Sequence, residues 1–263
     1  IVVFKNGTGR TGPTESELVW ENCSVSFVER EGNVYANSTT GGRFMFRTPP
    51  LENMYALSST EGKNMGGGIV EHKDAKYGVT MVETSETKAF FDFVNQHCEA
   101  AIRFMFDSSN ILKSTTEGEL RDAEESLRDG DGSEDPRELA FANFLESAKL
   151  PMKTTSDTDM RRQMKFTQRV TYPSGDDIVF KLVDNEGNDS DADGNPYTVE
   201  DLNRGDKTSQ VIELSPWISP SGDAFGVSLK INPTYHIHIA EHNAEAANND
   251  LSNGIDMSFI DSI

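Results

Sequence analysis

Two short stretches carry residue types that can do chemistry. In "DSDADGNPYTVE" the carboxylates of Asp189, Asp191 and Asp193 occupy positions 1, 3 and 5, a glycine occupies position 6 and Glu200 occupies position 12. That is the spacing of an EF-hand calcium loop, in which hard oxygen ligands converge on one ion. An EF-hand needs a helix on each side. Here the preceding "IVFKLVDNEG" reads as strand and turn, position 8 is Pro196, and no second loop of this kind exists. The expectation is an acidic connection between strands that could load calcium, set against a solvated hairpin loop. The second stretch is "YHIHIAEH". On a strand His236 and His238 share a side, and either Glu241 or His242 could complete a metal site. The simpler reading is two histidines on a strand face.

Catalytic signatures are absent. The chain has no G-x-S-x-G, no phosphate-binding P-loop, no G-x-G-x-x-G after a strand and no H-E-x-x-H. The expectation is a non-enzymatic protein without a bound cofactor.

The basic residues are more informative. Lys149, Lys153, Arg161, Arg162, Lys165 and Arg169 lie within 21 residues that hold only two acids. Arg43, Met45 and Arg47 alternate with Phe44 and Phe46 on one strand, so the arginines are expected to project together while the phenylalanines face a core. Tyr172 follows Arg169, and Lys230 lies on a strand beside the one bearing Trp217. Cations interleaved with aromatic platforms are what sequence-tolerant binding of a single-stranded nucleic acid needs.

The overall charge runs against this reading. Against 24 Lys and Arg stand 44 Asp and Glu, a net of −20 over 263 residues. The excess is localised. Residues 117–138 hold ten acids and three bases, 176–206 hold ten and two, and the chain after Lys230 holds five acids and no Lys or Arg. The remainder is balanced, which leaves room for a basic face.

The elements that must position these groups follow from periodicity. "SVSFV", "RFMFRTPP", "YGVTMVE", "KFTQRVTY", "DIVFKLVD", "SQVIELSPWI", "AFGVSLKI" and "TYHIHIA" read as strands. "TSETKAFFDFVNQHCEAAIRFMF" has apolar residues at helical spacing, with Thr84 or Ser85 as cap. "DPRELAFANFLESAKL" reads as a second helix with Pro136 at its start. Residues 108–135 read as polar and acidic, with "DGDGSED" a solvated loop, 58–76 read as a glycine-rich loop, and no internal repeat is visible. Cys98 falls in the helical stripe and is expected to pack as a small hydrophobe. No apolar run suits a membrane span, and the first residues do not read as a secretory leader. The chain is therefore expected to be mainly β (α+β), an OB-fold-like closed barrel over 17–240 with a helical insertion at about 84–149. It is flanked by a flexible arm at 1–16 and an acidic tail at 241–263.

Two stretches resemble a known family. "RFMFRTPPLENMYALS" resembles the N-terminal half of the single-stranded-DNA-binding proteins of large eukaryotic DNA viruses. "VFKLVDNEGN" with "VIELSPWISPSGDAFGVSLKI" resembles their C-terminal half. The same order is similar to that of the OB-fold single-stranded-DNA-binding protein of short-tailed phages. Phe44, Phe46, Trp217, Phe225 and Gly226 fall on the motif positions. The resemblance implies single-stranded DNA as partner, a role in viral DNA replication or recombination, and an acidic tail that recruits replication proteins. It also implies an intracellular setting, the viral replication compartment or host nucleus, and leaves homo-oligomerisation open. The expected DNA-contacting residues are Arg43, Arg47, Arg161, Arg162, Lys165, Arg169, Tyr172, Trp217 and Lys230. The competing expectations are a non-enzymatic virion or docking protein, and a calcium-binding extracellular β-domain using Asp189, Asp191, Asp193 and Glu200.

Overall fold

The computed structural model describes residue 13 and residues 17–39, 41–55, 57–64, 68–128, 135–154 and 161–242. The expected arm, apart from Pro13 and from residue 17 onward, and the tail beyond His242 lie outside the described residues.

The chain is mainly β, with a curled half-barrel sheet and three helices. A hairpin of β1 (Val25–Arg30) and β2 (Asn33–Ser38) stands apart as a two-stranded sheet. The main sheet is built from β3 (Met45–Arg47), β4 (Leu51–Asn53), β5 (Ser58–Ser59), β6 (Lys76–Val82), β7 (Met152–Thr154) and β8 (Arg162–Arg169). It continues with β9 (Leu182–Val183), β10 (Lys207–Ser209), β11 (Val211–Ile218), β12 (Phe225–Ile231) and β13 (Ile237–Glu241). Its hydrogen-bonded path runs β3-β11-β12-β8-β6-β4-β10-β13-β9. Most pairs are antiparallel; β8 with β12 and β9 with β13 are parallel.

Alternation decides which face of each strand is buried. Phe44 and Phe46 are both 0% exposed, as their spacing predicts. Phe166 and Met164 on β8, Ile212 and Leu214 on β11, and Val227, Leu229 and Ile231 on β12 face the same core. Pro49 and Pro50 cannot donate to a ladder and separate β3 from β4. The seam there is closed by polar groups: Thr48 N–H donates to the Gln210 carbonyl (2.9 Å), and Ser209 Oγ donates to the Thr48 carbonyl (2.6 Å).

Helix α1 (Lys88–Ser108) buries Phe90, Phe91, Val94, Cys98, Ala101, Ile102, Met105 and Phe106, a stripe at 3.6-residue spacing. Its N-cap is Thr87, not Thr84 or Ser85; Thr84 N–H instead donates to Thr87 Oγ1 (2.9 Å). Cys98 is buried with its thiol pushed up to about 12 by burial, and Cys23 is also unpaired. Helix α3 (Pro136–Ser147) starts where expected: Asp135 accepts from Arg137 N–H (2.9 Å) with Pro136 in the first turn. Its Arg137 pairs with Asp107 (2.6 Å), and its Glu138 holds α1 through Arg103 (2.6 Å), whose guanidinium lies 3.4 Å from the Phe141 ring centroid.

Four expectations are corrected. Within the polar, acidic stretch 108–135, where no helix is expected, Lys113–Ser126 form helix α2, while all of "DGDGSED" but Asp135 lies outside the described residues. Only Thr116, Leu120, Ala123 and Leu127 mark its inner face, at spacings of four, three and four, and a stripe of such small and sparse residues is easily read as loop. "DIVFKLVD" joins a ladder only at Leu182 and Val183, with a single bridge from Asp177 to Thr171 before it. Ile178 and Phe180 point inward while Val179 is 72% exposed, so the alternation reflects an extended chain lying on the core without ladder partners. A short repeat does exist: "DNEGN" at 184–188 and "DADGN" at 191–195 make the same turn. In each, the aspartate N–H donates to the asparagine carbonyl (2.9 Å) and the glycine N–H donates back to the aspartate carbonyl. Finally, β2 and β7 are strands that no expected run covered; β2 turns Val34 and Ala36 into the core, and β7 pairs with β8.

Among the described residues, no helix is long and apolar enough to cross a membrane.

Candidate functional site

The outward face of β11, β12, β8 and β6 collects the basic residues. Register fixes the rows. Lys230 on β12 stands opposite Glu213 on β11 and beside Thr167 on β8. Arg169 on β8 stands opposite Lys76 on β6, and Lys165 opposite Thr80. Partners directly across a ladder share a face, and the alternate residues of these strands are in the core. The small residues Gly78, Ser215 and Ser228 separate the charged rows.

The electrostatics confirm that these cations share one field. Desolvation depresses the Lys165 ammonium below its usual range, and the neighbouring charges of Lys76 and Lys153 depress it further. Lys230 is likewise held low, first by desolvation of its packed stem; Glu213 opposes this, while Arg43, Arg169 and Lys76 add to it. Its tip still reaches water, as a snorkelling lysine does. Mutual repulsion among cations on one face is relieved by a bound polyanion. Glu213 is the counter-charge within this group. Its side chain is only 15% exposed and accepts both Arg43 Nη1 contacts at 3.0 Å.

One end of this face is a fork. The edge of β8 that pairs with β12 at Phe166 and Thr167 pairs with β7 at Arg162–Met164. On the opposite side of the gap, Lys149 bridges to Gly226 of β12. Residues 149–154 thus form a strap wedged between two parallel strands that splay apart. Lys149 N–H donates to the Phe225 carbonyl (3.0 Å), Val227 N–H donates to the Lys149 carbonyl (3.0 Å), and Lys165 N–H donates to the Pro151 carbonyl (2.9 Å). Helix α3 delivers the strap, and its Phe144 stacks on Phe225 with ring centroids 4.3 Å apart. The fork leaves a concave cleft on the outer face, lined by Lys149, Lys153, Lys165 and Trp217 over Leu150 and Pro151.

The structure therefore brings together Lys165, Arg169, Lys230, Arg43 and Trp217 from the expected set. It adds Lys76, Lys149 and Lys153. The last two were legible in the basic 149–169 segment, but the strap that places them was not. Other expected residues sit elsewhere. Arg47 does not project with Arg43; it is half-buried at the β3–β4 bend, where Nη1 donates to the His236 (3.4 Å) and Ser209 (3.5 Å) carbonyls. Arg162 is engaged by Glu83 (2.6 Å) and Asp92 (2.7 Å), tying β8 to the start of α1. Tyr172 is exposed at the turn that follows β8. Arg161 is exposed at the start of β8.

The acidic loop joins β9 to β10 rather than two helices. Asp191 Oδ1 accepts from the backbone of Asp193 (2.9 Å) and Asn195 (2.8 Å), and Oδ2 from Asn195 Nδ2 (3.0 Å). These bonds hold its carboxyl below the usual range, the Asn195 side chain contributing most. The carboxylate thus serves its own turn. Among the described residues, no three His, Cys, Asp or Glu side chains converge so as to hold a metal ion, the Asp189–Glu200 loop and His236, His238, Glu241 and His242 included. Instead His242 Nδ1 lies 3.5 Å from the buried Asp206 carboxylate, and His238 is registered between Ser209 and Val183.

No family model matches the chain, and no curated protein matches it. Among solved structures it is similar to gp2.5, a single-stranded DNA-binding protein encoded by bacteriophage T7. The TM-score is 0.41 with 13% identity, over 78% of this chain and 96% of that one. It is also similar to the single-stranded DNA-binding protein of bacteriophage Enc34. In complex with single-stranded DNA that protein gives a TM-score of 0.37 with 11% identity, over 84% of this chain and 97% of that one. Without DNA it gives 0.36 with 11% identity, over 84% and 91%.

Proposed function

We propose that this protein binds single-stranded DNA across the outer face of β11, β12, β8 and β6. The observation that carries the reading is the convergence of Lys76, Lys165, Arg169, Lys230 and Arg43 on one face that ends in the Trp217 cleft. The cations track phosphates and the indole stacks on bases, so the face serves many sequences. Small and hydroxyl side chains between the charged rows leave room for a strand to lie close to the sheet.

The sheet is read as a five-stranded barrel of the OB type, formed by one domain over 17–240 with the helices inserted at 84–149. Its support is that residues 45–53 pair with β11 and β10 along one side, while β4 pairs with β6 on the other. The path β3/β4, β6, β8, β12, β11/β10 thereby returns to its start. The protein is further proposed to act in viral DNA replication or recombination, in the viral replication compartment or host nucleus. Its acidic residues beyond Glu241 would recruit replication proteins.

Fluorescence anisotropy with labelled oligo-dT at low salt tests the reading. Binding should weaken steeply with salt, by a log–log slope of about −0.7 per phosphate contacted. Absence of binding at low salt by a chain lacking 243–263 would sink it.

A further inference from the structure

The cleft at the β8–β12 fork differs in kind from the rest of the basic face. The remainder of that face is a convex sheet surface studded with cations. The cleft is concave, with an apolar floor of Leu150 and Pro151, an indole wall and three lysines at its rim. A bare anion needs no such wall and floor, and an apolar group needs no such rim. A nucleotide has both parts, a flat base with π-faces and an anionic phosphate on each side of it.

We propose that this cleft is an anchor subsite that captures one base of the bound strand against Trp217 while Lys149, Lys153 and Lys165 hold the flanking phosphates. The proposal rests on the single-stranded-DNA reading and assigns one position of the strand a fixed place. Three features support it. The strap is held by backbone hydrogen bonds to both splayed strands, so the cleft is preformed and little ordering is needed on binding. Trp217 stands directly across from Gly226, and the Lys149 backbone fills the place of the side chain that Gly226 lacks, which seats the strap beside the indole. Lys153 stands across from Gln163, two residues before Lys165 on the same face of β8; burial depresses the Lys165 ammonium first, the charges of Lys76 and Lys153 add to it, and a phosphate between the lysines relieves that added repulsion. The rows of Arg169, Lys230 and Lys76 lie further along β8, so a strand anchored at the fork meets them in turn.

The other tryptophan provides an internal reference. Trp20 packs edge-on against Phe90 (5.5 Å) and Phe93 (5.2 Å), apart from the cleft. Titration of the full chain with oligo-dT, and with an abasic oligonucleotide of the same length, followed by tryptophan emission and by anisotropy, tests the proposal. Oligo-dT should quench emission in the natural chain and in a Trp20→Phe variant. In Trp217→Ala the quench should vanish and oligo-dT affinity should fall about tenfold or more, while abasic affinity stays within about twofold. Trp217→Phe, which keeps a ring, should retain most of the affinity and guards against misfolding of the alanine variant. Lys149→Gln and Lys153→Gln should weaken both ligands and each lower the salt slope by about 0.7. If oligo-dT binds but the indole emission does not move, or Trp217→Ala loses both ligands equally, the anchor proposal fails and the single-stranded-DNA reading stands. If an acidic aromatic peptide quenches Trp217 where oligo-dT does not, the cleft is a peptide site and the proposal also fails. If the natural chain binds no oligonucleotide at low salt, both readings fall together.

Discussion

The carbonyl oxygen of Lys149 occupies the space that a side chain on Gly226 would need. That single close approach lets the strap dock on β12 and brings Lys149 to the rim of the Trp217 cleft. A Cβ at 226 would force the strap outward and break its hydrogen bonds to Phe225 and Val227. Gly226→Ala is expected to cost about 1–3 kcal/mol, the range for overpacking, in chemical denaturation, and to weaken oligo-dT binding at the same time. Gly78→Ala is the matched control. Its Cβ would meet Lys165 Cε at 3.6 Å, an ordinary contact, and its stability should hold.

The ion pair of Arg43 with Glu213 places a carboxylate among the cations of the proposed binding face. Glu213→Gln removes one negative charge from the phosphate track and frees Arg43 to meet a phosphate. Affinity for oligo-dT at low salt should rise roughly three- to tenfold, with the salt slope steeper by about 0.7. A fall in affinity would show that Glu213 itself contacts the DNA.

Arg162 and Lys230 are expected to behave as opposites. Arg162 is engaged by Glu83 and Asp92, with side chains 22%, 15% and 57% exposed. Arg162→Ala leaves Glu83 without its partner and should cost about 1–3 kcal/mol, tempered by the exposure of Asp92, with an unchanged salt slope. Hydrogen bonding to Arg162 also holds the Glu83 carboxyl below the usual range. The stability it confers is therefore present above the unfolded carboxylate pKa and lost as pH falls through the lower folded value. Lys230→Ala should leave the melting point nearly unchanged and lower the salt slope. Paired denaturation and binding titrations separate the two.

His72 clamps two loops, with Nδ1 2.8 Å from Glu61 and Nε2 2.7 Å from Asp177. Its hydrogen bonds to Asp177 and then Glu61 raise its pKa from 6.5 to about 8. A raised histidine pKa stabilises the fold fully below the unfolded value and loses that contribution as pH rises through the folded one. Melting temperature should therefore decline between pH 6.5 and about 8.5 in the natural chain. In His72→Ala that decline should flatten; an identical slope in both would refute the clamp.

The residue pattern alone specified the strands whose alternation is strict and the helix whose stripe is wide. Phe44, Phe46 and Phe166 went to the core because a period of two allows no other face once one is buried. It also determined that the acidity is confined, since the charge of 117–138 and 176–206 is written in the residues. It did not determine α2, whose inner stripe is too thin to outweigh its polar residues. Nor could it separate Arg43 from Arg47, which alternation puts on one face; in the fold Arg43 meets the Glu213 carboxylate and Arg47 turns to backbone carbonyls. That residues 149–154 wedge between β8 and β12 emerges from the folded chain. That placement depends on contacts between residues some 75 positions apart, Lys149 with Gly226, and on helix α3 docking Phe144 against Phe225. A local pattern carries no record of such pairings, because strand order and splay are fixed by the packing of the whole sheet.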